Sequence, residues 1–357
     1  MIIQIRGVVV DWLTKIAPEV YTKFVSIDKK GDKTLLVECM NAIYGTMVAG
    51  LLYYRKFAES LECYDPCVWN KVVKGKQCTI CFHVDDCKIS HVSPKVIDNM
   101  IAWLRQEYES IFTDGSGKMK VAKGKVHKYL GMTLDFATAK LVKVTMIDYV
   151  DEIIEVRNRA CKEFNNGFEF VANCKKIATA APEDLFKVDQ DALKLSPPEA
   201  KSFHSIIVMM LYVTKRARPD TALAVAFLTT RVKAPDEDDW RKLRHLVEYL
   251  KSTRDLPLVL GALNTIGLHW HVDASFATHP DMRGHTGGAL TMGTGCPVVT
   301  STKQKCNVRS STVGELVAVD EMIGQILWTR LFMLEQGIKV SDNILYQVQG
   351  CANGCSS

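Results

Sequence analysis

Apolar residues recur along this chain at two spacings, two and three-to-four, and the alternation between them predicts a series of elements. Residues 18–24 form a short amphipathic stretch, Asp28-Lys29-Lys30-Gly31-Asp32-Lys33 reads as a turn, and residues 34–39 read as a strand. Residues 41–61 carry apolar and aromatic positions at helical spacing after Tyr44-Gly45. Thr79-Ile80-Cys81-Phe82-His83-Val84 and Lys88-Ile89-Ser90-His91-Val92 are rich in β-formers and alternate. Their spacing predicts a hairpin with Asp85-Asp86 at its turn. The helical period returns over residues 97–112 through Ile101, Leu104, Tyr108 and Ile111, a face that should pack on a sheet.

From about residue 151 the pattern is mainly helical, with a polar, lysine-containing linker over residues 165–182. Ser196-Pro197-Pro198-Glu199 has capping-box spacing with proline at the first helical position, ahead of an apolar run over 203–213. Arg218-Pro219-Asp220 ends that helix and opens another over 221–232. Pro235-Asp236-Glu237-Asp238-Asp239 places acids where a third helix begins, with Trp240, Leu243, Val247 and Leu250 on its apolar side. After Gly261 strands return. Gly267-Leu268-His269-Trp270-His271-Val272 leads into Asp273, two more strands cover 287–292 and 298–302, and a helix spans 312–335.

Composition narrows the class. With 357 residues, 47% of them apolar, the chain can fill two or three cores, and a net charge of +5 is too mild to demand a nucleic-acid partner. No apolar run approaches the length of a membrane span, so no membrane partner is expected. Met1-Ile2-Ile3-Gln4-Ile5-Arg6 lacks the order of a signal peptide, which makes an intracellular, reducing location the expectation, with the twelve cysteines as reduced thiols. Cys63, Cys67, Cys78 and Cys81 fall in two close pairs, but Cys78 and Cys81 are three apart in a predicted strand. They should leave opposite faces and not share a zinc ion.

The adjacent carboxylates Asp85 and Asp86 carry the sharpest chemistry. Two like charges so close repel, and a divalent cation makes the pairing favourable. Such a pair at a strand end suits the two-metal chemistry of phosphoryl transfer, although Asp-Asp is also an ordinary hydrophilic turn.

Eight short segments in order then resemble one family. Asn41-Ala42-Ile43-Tyr44-Gly45, Val84-Asp85-Asp86 and His127-Lys128-Tyr129-Leu130-Gly131-Met132 resemble the reverse transcriptase of copia-type LTR retrotransposons. Lys215-Arg216-Ala217-Arg218-Pro219-Asp220 with Tyr249-Leu250-Lys251 is similar to the region after its palm. Val272-Asp273-Ala274-Ser275, Ser301-Thr302-Lys303-Gln304-Lys305 and Ser310-Ser311-Thr312-Val313-Gly314-Glu315 resemble the ribonuclease H domain of the same polyprotein. The resemblance implies an α+β chain. An incomplete palm would occupy residues 1–150, a helical thumb or connection 151–262, a ribonuclease H-like mixed α/β domain 263–347, and an aberrant tail 348–357.

The resemblance also assigns roles. Asp85 and Asp86 would hold Mg²⁺ for RNA-directed DNA synthesis, and Asp273 and Glu315 would hold Mg²⁺ for cleavage of RNA in a hybrid, with two ions per site in the intact family. Tyr44-Gly45 would support template and nucleotide, and Tyr129 and Gly131 would belong to the hairpin that grips the primer. Lys215, Arg216 and Arg218 would neutralise phosphates, although a basic helix end is often only a solvated C-terminus. The implied partners are an RNA template, a DNA primer and their hybrid; the implied location is a cytoplasmic virus-like particle or the nucleus.

Several positions depart from the family. Its first palm aspartate has no counterpart, since Asp11 lies too close to Tyr44, and Val48 stands where glutamine is usual. Ile344-Leu345-Tyr346-Gln347 matches the strand before an Asp-Asn pair, but Val348-Gln349 follows. A truncated and frameshifted copy with impaired catalysis is therefore the expectation. A hybrid-binding module using Lys215, Arg216, Arg218, Arg241, Lys242 and Arg244, or a non-functional relic, is the alternative.

Overall fold

The computed structural model describes residues 2–38, 63–65, 67–84, 86–109, 119–164, 177–262 and 266–347. Helix and strand are mixed throughout, and the chain divides into two compact units, Met1–Met100 and Ile101–Ser357.

In the first unit, β1 (Ile2–Arg6) and β2 (Val25–Ile27) flank β3 (Lys33–Glu38) in an antiparallel sheet. Helices α1 (Val8–Ile16) and α2 (Pro18–Tyr21) lie between β1 and β2, and α1 buries Val10. The turn expected after residue 27 is present: the Asp28 carboxylate accepts from the Lys30 and Asp32 amides, at 2.8 and 3.0 Å. A second sheet is an antiparallel meander of β4 (Cys63–Asp65), β5 (Val68–Val73), β6 (Lys76–His83) and β7 (Asp86–Ser90). Period two sorts β6: Cys78, Ile80 and Phe82 are buried and Cys81 leaves the other face, as its spacing requires. Trp69 stacks on Phe82 at 4.3 Å between ring centroids and fixes β5 against β6. Helix α3 (Pro94–Tyr108) follows and runs across the division at Met100; Val96 and Leu104 are buried on it.

The second unit pairs β8 (Val126–Tyr129), β9 (Met132–Asp135) and β10 (Val142–Thr145) in a meander. Four helices then share one core: α4 (Ile147–Phe164), α5 (Pro197–Thr214), α6 (Ala222–Thr229) and α7 (Glu237–Ser252). The apolar positions that marked α7 in the sequence, Trp240, Leu243, Val247 and Leu250, are all buried there. Strand β11 (Leu258–Ala262) returns to pair with β10 and on its other edge takes β14 (Gly293–Thr294). One five-stranded sheet thus draws on chain segments far apart in sequence.

The last sheet has the order β15-β13-β12-β16, from β12 (Ile266–Ser275), β13 (His285–Thr291), β15 (Val298–Lys303) and β16 (Val340–Gln347). Only β12 and β16 run parallel, because α8 (Ser311–Glu335) carries the chain back between β15 and β16. Leu268, Trp270 and Val272 on one face of β12 pack with Ala318, Met322 and Ile326 of α8. Among the described residues no helix is long and apolar enough to cross a membrane.

Capping sets where the helices begin. At α5 the Glu199 carboxylate accepts from the Ser196 amide at 2.8 Å, closing the box its sequence announced. At α7 the buried Asp236 and Asp239 exchange side-chain-to-amide bonds, at 3.0 and 3.1 Å, while Arg231 pairs with both and Lys194 with Asp236. Replacing Asp236 with Ala is expected to cost about 2–4 kcal/mol, since it removes a cap and strands part of a buried charge network. Glu199→Ala, at an exposed cap, should cost about 1 kcal/mol or less. Urea midpoints of the two variants measure the difference.

Candidate functional site

The acidic hairpin has tight geometry. His83 pairs with Asp86, so Asp86 already belongs to β7, where the sequence placed both acids in the turn. Two-residue turns match the twist of the strands only with positive φ at the first central residue, and Val84 sits at φ 56°. A β-branched side chain resists that conformation, so Val84 stores strain two residues before Asp86. Asp86 is exposed at the strand start; Asp85, Tyr44 and Gly45 lie outside the described residues.

A second two-residue turn, Leu130-Gly131, joins β8 to β9, with φ of 50° and 75°. A Cβ at position 131 would be strained by that φ and would stand 3.4 Å from the Met146 methyl. The tip is held by α5, because the Tyr212 hydroxyl donates to the Leu130 carbonyl at 3.0 Å. Arg216 lies 3.6 Å over the Tyr212 ring, and Tyr149 packs on it at 5.1 Å. Tyr129, Gly131 and Arg216 are thereby brought to one place on the surface.

The other basic residues are committed elsewhere. Lys215 is exposed and reaches the Val299 carbonyl at 3.4 Å. Arg218 is buried: its Nε and Nη2 donate to Asp220 at 2.9 and 2.6 Å, and its Nη1 and Nη2 to the carbonyl and hydroxyl of Thr253. Arg241 pairs with Asp184 and Asp238, Lys242 is buried against Asp238 and the Lys187 carbonyl, and Arg244 pairs with Glu248. Arg218, Arg241 and Lys242 tie loops to the helices, which a count of lysines and arginines does not reveal.

At the end of the last sheet, Asp273 is exposed on β12 and its carboxylate accepts from the Ala274 amide at 2.9 Å. Glu315 lies one turn into α8 and accepts from the Gln347 side-chain amide at 3.1 Å. Gln347 is in register with Val272, the residue before Asp273, so both carboxylates stand at the same end of the sheet. Asp320, five residues beyond Glu315 and so on another side of the helix, is exposed on α8. Sequence reasoning missed Gln347 as the link, because only the parallel register of β12 and β16 shows it. The donors are all oxygen, the kind Mg²⁺ takes as one or two carboxylates with water and phosphate completing its shell, so Asp273 and Glu315 are the residues that could hold such an ion. Among the described residues no three His, Cys, Asp or Glu side chains gather as a metal cluster.

Asp273 also lines a cleft with His271, Gly287, Asp220 and Leu223, and with His285 and Ser301. There the His285 ring bonds the Ser301 hydroxyl at 2.7 Å and the His279 ring at 3.0 Å, while Phe186 meets both imidazoles edge-on. This histidine pair was not anticipated from sequence.

No family model matches the chain. It is 26% identical over 249 residues to a transposon Ty5-1 protein of Saccharomyces cerevisiae, covering 69% of this chain and 73% of that one. It is 23% identical over 331 residues to the retrovirus-related Pol polyprotein from transposon TNT 1-94 of Nicotiana tabacum, covering 88% of this chain and 23% of the relative. To the retrovirus-related Pol polyprotein from transposon RE2 of Arabidopsis thaliana it is 31% identical over 145 residues, which cover 40% of this chain and 10% of the relative. The chain therefore spans most of the yeast relative and less than a quarter of either plant polyprotein.

The histidine pair makes the cleft wall sensitive to acid. Burial, then the neighbouring His285, pushes the His279 pKa down to about 4, and burial pushes His285 down to about 4. Unfolded histidines protonate near 6.5, so at lower pH the unfolded state binds more protons than the folded one. The contribution of this pair to stability should be flat above about pH 7 and fall by a few kcal/mol as pH drops from about 6.5 to about 4. Urea unfolding across that window checks the slope, and His279→Phe should roughly halve it.

Proposed function

Because the chain belongs to the Pol polyproteins of Ty/copia-type retrotransposons, we propose that it is their reverse transcriptase and ribonuclease H region. In this reading Asp85 and Asp86 serve RNA-directed DNA synthesis on an RNA template and DNA primer. Asp273 and Glu315 serve cleavage of the RNA strand of the hybrid. The observation that carries the second site is the Gln347 bridge, which ties Glu315 to the strand beside Asp273. It supports convergence of two acids from a strand and a helix on one substrate phosphate.

Asp273 and Glu315 would hold Mg²⁺, which when bound supplies charge stabilisation at the phosphoryl oxygens and lowers the pKa of a bound water. The chain's own contribution is orientation. Gln347 restrains one Glu315 oxygen, and the Ala274 amide restrains one Asp273 oxygen. Tyr212 positions the Leu130-Gly131 tip beside Arg216, an arrangement suited to a nucleic-acid backbone. Lys215 and Arg216 are better suited to phosphate than Arg218, whose guanidinium is already engaged.

Val348 stands where the family resemblance expects an aspartate, so cleavage by this chain should be slow. The test is a labelled RNA/DNA hybrid incubated with the purified chain and Mg²⁺. Val348→Asp should raise the cleavage rate by about an order of magnitude or more, and Asp273→Asn in that background should abolish the gain. Equal rates in all three chains would reject the assignment of Asp273 and Glu315. A non-cleaving hybrid-binding role is favoured only by the Arg216 and hairpin-tip cluster. It predicts hybrid binding that weakens with salt and with Arg216→Ala but not with Arg241→Ala.

A further inference from the structure

Helix α8 buries one face on the last sheet and leaves the opposite face apolar. Its inner side presents Ala318, Met322, Ile326 and Met333, whereas Leu316 is 63% exposed, Leu327 52%, and Ile323 and Leu334 43% each. Taken with Asp320 and Arg330, also exposed, these residues follow one another at spacings of four, three, four, three and four. That is the a/d repeat of a helix seam, sustained from residue 316 to 334 over about 27 Å of helix. Such a stripe is larger than scattered surface leucines account for.

We propose that α8 pairs antiparallel with α8 of a second copy of this chain. The seam is its own complement. A two-fold axis at the level of Gln325 sets Leu316 against Leu334, Ile323 against Leu327, and Asp320 against Arg330 of the other copy. Both charged positions of the seam then meet opposite charge twice, once on each side of the axis. A parallel pairing would place Asp320 against Asp320 and Arg330 against Arg330, which repel. Within the chain neither residue forms an ion pair among the described residues, so both are available for this contact. The interface is isologous, as two-fold dimers require, and it leaves Glu315 on the inner side of the helix.

The experiment is sedimentation equilibrium of the full chain between about 1 and 100 µM, the range in which a short helix seam should associate. A concentration-dependent dimer is expected. Asp320→Arg or Arg330→Asp alone places like charges across the axis and should weaken dimerisation at least tenfold. The double reversal, D320R with R330D, restores opposite pairing and should restore the dimer. Both substituted sites are at the surface, and far-ultraviolet circular dichroism verifies that each variant folds. A monomer throughout the range would overturn the proposal, including the case in which another protein segment covers this face. So would a dimer that the single reversals leave unchanged.

Discussion

A guanidinium or ammonium taken out of water costs several kcal/mol unless its N–H groups find acceptors, and the helical layer of the second unit meets that condition repeatedly. Arg218 is enclosed by Asp220 and Thr253, Lys242 by Asp238 and the Lys187 carbonyl, and Arg231 by Asp236 and Asp239. Each pairing ties a loop to a helix end. The first joins the turn after α5 to the end of α7, and the last fixes where α7 starts. Tyr249 adds its hydroxyl to Asp220 at 2.8 Å, so the Arg218 knot reaches back into α7. The Pro219–Leu223 wall of the Asp273 cleft is held by these bonds, which couples the candidate site to charge pairing some distance from it.

This arrangement separates basic residues that build the protein from those that face solvent. The stretch Lys215 to Asp220 looks uniform in sequence, but its three cations have three different surroundings. Lys215 extends over β15, Arg216 lies on an aromatic ring beside a hairpin tip, and Arg218 is interior. A guanidinium over tyrosine keeps its charge and part of its donor set, and it is held in place by the ring. Arg216 therefore offers an ordered cation, which a freely moving surface lysine does not.

Much of the second unit was legible in the sequence because local signals agree with tertiary packing. The Ser196-to-Glu199 box, the acids ahead of α7 and the apolar spacing of Trp240, Leu243, Val247 and Leu250 all reappear as caps and core. Alternation likewise exposed β6, including the opposite faces of Cys78 and Cys81. Pairing between distant strands was not legible. Nothing local announces that Gln347 aligns with Val272 or that Leu258 pairs with Val144, since register is decided by partners far away in the chain. Buried charge was equally hidden, as were the imidazoles of His279 and His285, because residue type alone does not show which charges fold inward.

The sheet that joins β10 to β11 also imposes an order in time. During synthesis Val144 emerges roughly a hundred residues before its partner Leu258, a delay of about ten seconds at ribosomal speed. Through that interval one edge of the β8-β9-β10 meander has its backbone amides and carbonyls unpaired, a template for any passing strand. The closing strand β11 in turn awaits Gly293 and Thr294 before its own far edge is covered. A nascent chain of this kind folds its helices early and completes its sheet late. Its exposure to aggregation on the ribosome is therefore set by strand order and not by the stability of the finished fold.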